Sequence, residues 1–238
     1  MLRRRAGEIF REAKLAANRA NPIGAGGNGV VFASDVEGNV MKQLYSPDQG
    51  RFGLMDDSPQ VLAEADFQDV AAQMGYAPRV AGVETFRGGV GNRIEMEDIR
   101  PNFEMLSDIQ KRGGPEAELA RRRAMVGTHQ QTGALALKGM DLMDRENPKN
   151  VAINKMTGRP MQLDFGIVED IRDDKVAQLR AIQDATEQGF IAAGLKEEAG
   201  IFGEIVDEFM IDGRIDDAMD IAKQGFSRLQ KIKPQYIV

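Results

Sequence analysis

The chain has no cysteine and a single histidine among its 238 residues. The first absence excludes disulfides, thiolate metal sites and cysteine nucleophiles, while leaving the redox compartment open. The second excludes histidine-rich metal chemistry. His129, in a polar T-H-Q-Q run on a helix, reads as a surface or capping residue. No apolar run approaches about 18 residues, so no membrane-spanning segment is expected. Positive charge is in the minority, with 31 Lys and Arg against 37 Asp and Glu and a formal net charge of −6. That balance argues against broad nucleic-acid binding, which depends on neutralising phosphates. Internal repeats and low-complexity tails are also missing.

What is present suffices for a core, since 42% of residues are hydrophobic and a chain of this length buries a substantial interior as one domain. Basic residues gather locally. Arg3, Arg4, Arg5, Arg11, Lys14 and Arg19 make residues 1–20 a basic, helix-like stretch interleaved with Ile9, Phe10, Ala13, Ala16 and Ala17, and residues 121–123 form an arginine run. The first stretch reads as a solvated helix packing lightly on the N-terminal part of the domain, with a partner or anionic-surface contact as the alternative. Glu8, Arg11, Glu12 and Lys14 interrupt any signal-peptide core. Residues 50–58, 87–92 and 111–115 read as loops or turns. The 13 methionines read as gap fillers of the core.

Residues 23–32, I-G-A-G-G-N-G-V-V-F, place Gly24, Gly26 and Gly29 in a G-x-G-x-x-G-x-V pattern. Glycines let backbone N–H groups approach phosphate oxygens and permit the positive φ angles of such a turn. A dinucleotide-binding turn would open a helix at the third glycine. Val30, Val31 and Phe32 follow instead and favour a strand, so the glycines belong to a hairpin whose polar turn spans residues 34–39 and whose return strand carries Lys42. Residues 59–74 have helical periodicity, with Val61, Leu62, Ala65, Val70 and Met74 near one face. That helix supplies Glu64 as a partner for Lys42, with Asp66 and Asp69 as competitors.

Residues 141–168 read as a polar loop, a strand (151–154), a turn at Thr157 and Gly158, and a second strand (160–163) ending on Asp164-Phe165-Gly166. Asn150 and Asp164 stand at the two ends of that hairpin. Oxygen ligands of this kind beside phosphates suit Mg²⁺, which takes few ligands from protein and keeps several waters. Beyond Gly166 the chain reads as helices over residues 174–193, 198–211 and 215–232, with Phe190, Phe202, Phe209 and Phe226 as core anchors.

Taken in order, residues 24–31, Lys42, Glu64, the M-E-D-I segment (96–99), Asn150 and Asp164-Phe165-Gly166 resemble the protein-kinase-like family over residues 20–170. The resemblance implies an α+β fold of two lobes with the nucleotide between them, a β-rich N-lobe over 21–99 and a reduced helical C-lobe over 100–238, and the basic helix of residues 1–20 precedes them. It implies phosphate cover by Gly24, Gly26 and Gly29, α/β-phosphate contact by Lys42, a lysine clamp in Glu64, and a hinge containing Glu97 beside the nucleotide. Asn150 and Asp164 become Mg²⁺ ligands, and ATP becomes the phosphoryl donor.

Two departures qualify the match. The family's catalytic aspartate stands five residues before the asparagine, and here that position is Arg145. The string D-R-E-N-P-K-N (144–150) resembles the catalytic loop of phosphoinositide-type lipid kinases with one residue inserted, which makes Asp144 the preferred base and Asp141, within M-D-L, the alternative. There is also no A-P-E motif, and 72 residues follow Gly166. The whole therefore resembles the reduced kinases of some bacterial effectors and phages, cytoplasmic, delivered into a host cell or carried in a virion. The expected acceptor is a hydroxyl of a docked folded protein, since little room remains for a peptide groove. A catalytically silent pseudokinase and a lipid or small-molecule kinase are the alternatives. Lys42→Ala and Asp164→Ala are each expected to remove most of the nucleotide-dependent stabilisation and leave the melting temperature of the free protein nearly unchanged.

Overall fold

The computed structural model describes residues 2–25, 29–45, 58–85 and 92–237. Gly26 and the expected loops at residues 50–57 and 87–91 lie outside them. The fold is α+β and divides into two compact units, Met1–Pro101 and Asn102–Val238. Among the described residues no helix is long and apolar enough to cross a membrane.

The first unit opens with helix α1 (Leu2–Arg19), followed by strands β1 (Gly24–Ala25), β2 (Gly29–Ala33) and β3 (Asn39–Leu44), helix α2 (Ser58–Gln73), and strands β4 (Val80–Glu84) and β5 (Arg93–Glu97). The strands form one antiparallel sheet in the order β1-β2-β3-β5-β4. The β2–β3 turn closes because the Val36 N–H donates to Ser34 Oγ at 3.1 Å and Gly38 takes the left-handed conformation, φ +82°. Alternation along the strands then sorts the side chains to two faces. Val40, Leu44, Ile94 and Met96 pack with Val61 and Ala65 of α2, while Val30, Phe32 and Met41 pack with Leu15 of α1.

Helix α2 does not bury the expected face. Leu62 and Val70 are exposed, and Met74 falls just beyond the helix end. The inward residues are Val61, Glu64, Ala65, Gln68 and Ala71. Two of those five are polar, so a count of apolar residues alone turns the helix to the wrong side. Gln68 is accommodated by donating from Nε2 to the Pro78 carbonyl at 3.0 Å, and Glu64 by an ion pair with Lys42.

The second unit runs β6 (Phe103–Met105), α3 (Leu106–Arg112), α4 (Gly114–Ala136), β7 (Met140–Leu142), β8 (Val151–Asn154), β9 (Pro160–Gln162), β10 (Val168–Asp170), α5 (Lys175–Ala193), α6 (Lys196–Ile211), α7 (Ile215–Lys231) and a 3-10 turn, Pro234–Tyr236. The loop expected over residues 111–115 is shorter: Lys111 and Arg112 end α3, and the corner is made by Gly113 and Gly114, both at positive φ, with Pro115 in the first turn of α4. The β8–β9 hairpin is as expected, with β6 added on its other edge. The antiparallel pair β7–β10 is not: residues 140–142 lie in what reads as a loop, and 168–170 in what reads as the approach to a helix.

Helix α5 begins where Asp174 accepts from the Ala177 N–H at 2.8 Å. Helices α4, α5, α6 and α7 pack around Phe190, Phe202 and Phe226. Phe209 is only half-buried and carries the Arg214 guanidinium 4.2 Å from its ring centroid. The arginine run is no uniform patch, because Arg121 pairs with Glu118 and Arg123 donates to the Ile237 carbonyl. Met41, Met96, Met125, Met140 and Met219 are buried, whereas Met143 and Met156 are exposed.

Candidate functional site

In the first unit Lys42 sits mid-strand on β3, opposite Val31 of β2 and Ile94 of β5. Its side chain turns to the α2 face and donates from Nζ to Oε1 of Glu64. Both residues are buried, at 6% and 3% exposure. Asp66 and Asp69 are exposed, and Asp69 is engaged by Gln73 on its own helix. Glu64 is therefore the acid that meets Lys42. An ion pair this deep forfeits hydration on both partners and is weak evidence of stabilisation for its own sake.

The glycines divide. A Cβ on Gly29 would lie 2.4 Å from the Gln43 carbonyl oxygen, so the close pairing of β2 with β3 already requires glycine there. Gly24 has open space where a Cβ would go, and packing gives no reason for glycine at that position. Glu97 ends β5 opposite Asn39, three residues along β3 from Lys42. Alternation turns Glu97 to the opposite sheet face from Lys42, and its carboxylate lies 3.7 Å from Arg79. The Lys42–Glu64 pair and Glu97 are not brought together.

In the second unit the β8–β9 hairpin positions Asn150 and Asp164, the two residues expected as metal ligands. The Leu163 N–H donates to the Asn150 carbonyl at 2.9 Å, which sets Asp164 one residue past a direct link to Asn150. Phe165 is anchored in the interior at 1% exposure, and Asp164 Oδ1 accepts from the Gly166 N–H at 3.1 Å. Asp144 lies in the turns after β7. Its Oδ2 accepts from Asn150 Nδ2 at 2.7 Å and from Asn147 Nδ2 at 3.1 Å, so Asp144 and Asn150 are direct partners. With its amide nitrogen on Asp144, Asn150 presents Oδ1 elsewhere. Among the described residues no three His, Cys, Asp or Glu side chains converge as a metal-binding group.

Asp141 belongs to a different arrangement. It lies on β7 opposite Glu169 and accepts from Arg145 Nη1 at 3.3 Å. Arg145 also donates to the Leu142 carbonyl at 3.2 Å and to Asp184 of α5. The guanidinium thus clamps the chain after β7 to α5. In sequence Arg145 stands out only as the residue at the position where the family has its base, and the clamp is not anticipated. The visible signal is the i, i+4 spacing from Asp141, which places a carboxylate and a guanidinium near each other in any tight turn.

His129 is not at the surface. It lies on α4 at 2% exposure with Nδ1 buried and without a hydrogen-bond partner, and Nε2 is 3.6 Å from Glu146 Oε1. Burial, reinforced by the positive charge of Arg145, lowers its pKa to about 4. The contact with Glu146 would favour the charged form, but that carboxylate is 59% exposed and water-screened, so desolvation decides and the ring is neutral at pH 7. Its neighbours Thr128, Gln131 and Thr132 are buried as well, and Gln131 donates to the Pro160 carbonyl at 2.6 Å.

Compared with known families and curated proteins, the chain matches no family model and no curated sequence.

Proposed function

We propose that the chain is an ATP- and Mg²⁺-dependent phosphotransferase of the protein-kinase-like type, with the first unit as its β-rich lobe, the second as its helical lobe, and a protein hydroxyl as acceptor. The observation that carries this reading is the buried Lys42–Glu64 pair, a strand lysine oriented by a helix carboxylate. An ammonium fixed in this way is suited to the α- and β-phosphates of a nucleotide, where opposite charge replaces the water it has lost. Gly24 leaves room for backbone approach to phosphate. In the second unit the oxygen donors of Asn150 and Asp164, at the two chain ends that close one hairpin, are of the kind a hard cation takes. When bound there, Mg²⁺ supplies neutralisation of phosphate charge. Asp144, adjacent to Asn150, accepts the proton of the attacking hydroxyl.

A second reading, a nucleotide-binding but catalytically silent protein, is favoured by one feature. Asp144 Oδ2 is already occupied by two side-chain amides, which leaves that oxygen less open to an incoming hydroxyl. Transfer of label from γ-labelled ATP to proteins of a cell lysate separates the two. Asp144→Asn is expected to lower transfer by about 10²- to 10⁴-fold while keeping the rise in melting temperature given by Mg-ATP. Asp141→Asn is expected to act through stability, because it loosens the Arg145 clamp. A wild-type protein that is stabilised by Mg-ATP and transfers nothing supports the silent reading. No stabilisation by any Mg-nucleotide overturns both.

A further inference from the structure

Helix α1 (Leu2–Arg19) is oriented against the usual rule for a surface helix. The side it turns to the sheet is largely polar: Arg11 pairs with Asp35 and Glu84, Glu12 with Arg93, and Asn18 donates to the Ala33 carbonyl at 2.8 Å. Leu15 is the buried apolar residue of that side. The apolar positions Ile9, Phe10, Ala13, Ala16 and Ala17 recur at i, i+1, i+4, i+7 and i+8, and therefore form one stripe. All five are exposed, Ile9 at 69% and Phe10 at 77%. A helix whose polar side is fastened by ion pairs and whose apolar side meets solvent is held for contact with something else.

Charge identifies the occupant. The helix sequence carries six basic residues against two acidic ones, in a chain whose net charge is −6. Exposed Lys14 and Arg19 lie on the same helix as the stripe. A second copy of the chain would bring a like-charged helix to the contact. The stripe is a convex ridge, shallow where the alanines stand and bulky at Ile9 and Phe10. A fluid surface covers such a ridge without needing a matching groove, and an anionic one answers its charge. We propose that the outer face of α1 docks on an anionic lipid surface, with Ile9 and Phe10 entering the headgroup boundary and exposed Lys14 and Arg19 holding the lipid charge. The proposal is independent of the phosphotransferase reading.

Co-sedimentation of the full chain with phosphatidylcholine vesicles, with and without roughly one-third phosphatidylglycerol, tests it. Binding to the anionic vesicles is expected to exceed binding to the neutral ones by about tenfold or more and to fall steeply at about 0.5 M salt, where surface charges are screened. Ile9→Ser with Phe10→Ser is expected to abolish most of that binding. Its melting temperature is expected to stay at the wild-type value, since neither side chain is packed. Equal binding to both vesicle types, no binding to either, or undiminished binding by the double variant overturns the proposal. So does a concentration-dependent dimer that the double variant abolishes, or an acidic protein that competes the stripe away while vesicles do not bind.

Discussion

Lys42 and Glu64 are buried against each other, so substituting Lys42 alone leaves the Glu64 carboxylate buried without its cation. Lys42→Met is therefore expected to destabilise the free protein by about 3–5 kcal/mol, and Lys42→Met with Glu64→Gln to recover most of that loss. Urea unfolding of the two variants checks it, and a single variant as stable as wild type would mean that the pair is not buried. The sequence expectation that Lys42→Ala leaves the free protein unchanged is revised accordingly, because spacing reveals that the two residues can meet but not that both are at 6% exposure or less. His129 is hidden for a related reason: Thr128, Gln131 and Thr132 give it a polar setting in sequence, yet all are interior. Its pKa of about 4 in the fold, against 6.5 as the ordinary value, means that below pH 6.5 the unfolded chain takes up a proton that the folded chain refuses. Stability thus falls as pH drops from 6.5 toward 4, by about 3 kcal/mol in full. His129→Leu is expected to remove that slope in unfolding measurements between pH 6.5 and 4.5, and an unchanged slope would place the titration elsewhere.

At the level of elements, legibility follows the strength of the local pattern. The β2–β3 and β8–β9 hairpins are readable from β-branched runs closed by glycine-containing turns, and helices α5, α6 and α7 from periodic apolar residues over four turns or more. Three-residue strands such as β7 and β10 carry no period at all and exist because they pair with each other. The inward face of α2 is misleading because Glu64 and Gln68 occupy it. Helix-to-helix packing is equally silent in sequence, although it rests on glycines. A Cβ on Gly133 of α4 would lie 2.2 Å from the Phe226 ring, and one on Gly225 of α7 would lie 2.3 Å from Phe202. By contrast, Gly200 of α6 is exposed with open space around it. Alanine favours a helix over glycine by about 1 kcal/mol, so Gly200→Ala is expected to stabilise by up to that amount. Gly133→Ala is expected to destabilise by about 1–3 kcal/mol, since overpacking outweighs the propensity gain. Thermal unfolding of the pair decides it, and a stabilising Gly133→Ala would show that α4 and α7 do not approach as closely as these distances require.

The molecule as a whole divides its proposed chemistry between two compact units, Lys42 and Glu64 in Met1–Pro101 and Asp144, Asn150 and Asp164 in Asn102–Val238. Sequence order pairs Lys42 with Glu64, which the fold brings together, and puts Asn150 and Asp164 at the ends of a hairpin that the fold contains. Sequence does not separate Asp141 from Asp144, because they differ only in which partner the fold gives them. Amide hydrogen exchange reads the two units separately and so tests the division directly. A ligand at about a hundredfold excess over its Kd contributes about 2.7 kcal/mol to whatever must open to release it. Amides that exchange only through such an opening then slow by about a hundredfold. Mg-ATP is expected to slow exchange in β2 and β3 of the first unit and across residues 150–166 of the second. Protection confined to the first unit would mean that Asn150 and Asp164 take no part, which removes the metal-assisted reaction while leaving nucleotide binding. Protection in neither unit, with the same nucleotide concentrations, removes both. Asp164→Ala sharpens the outcome: if its carboxylate holds the cation, protection of residues 150–166 is lost in that variant. Exchange in the absence of nucleotide is expected to stay close to wild type, because Asp164 is only half-buried.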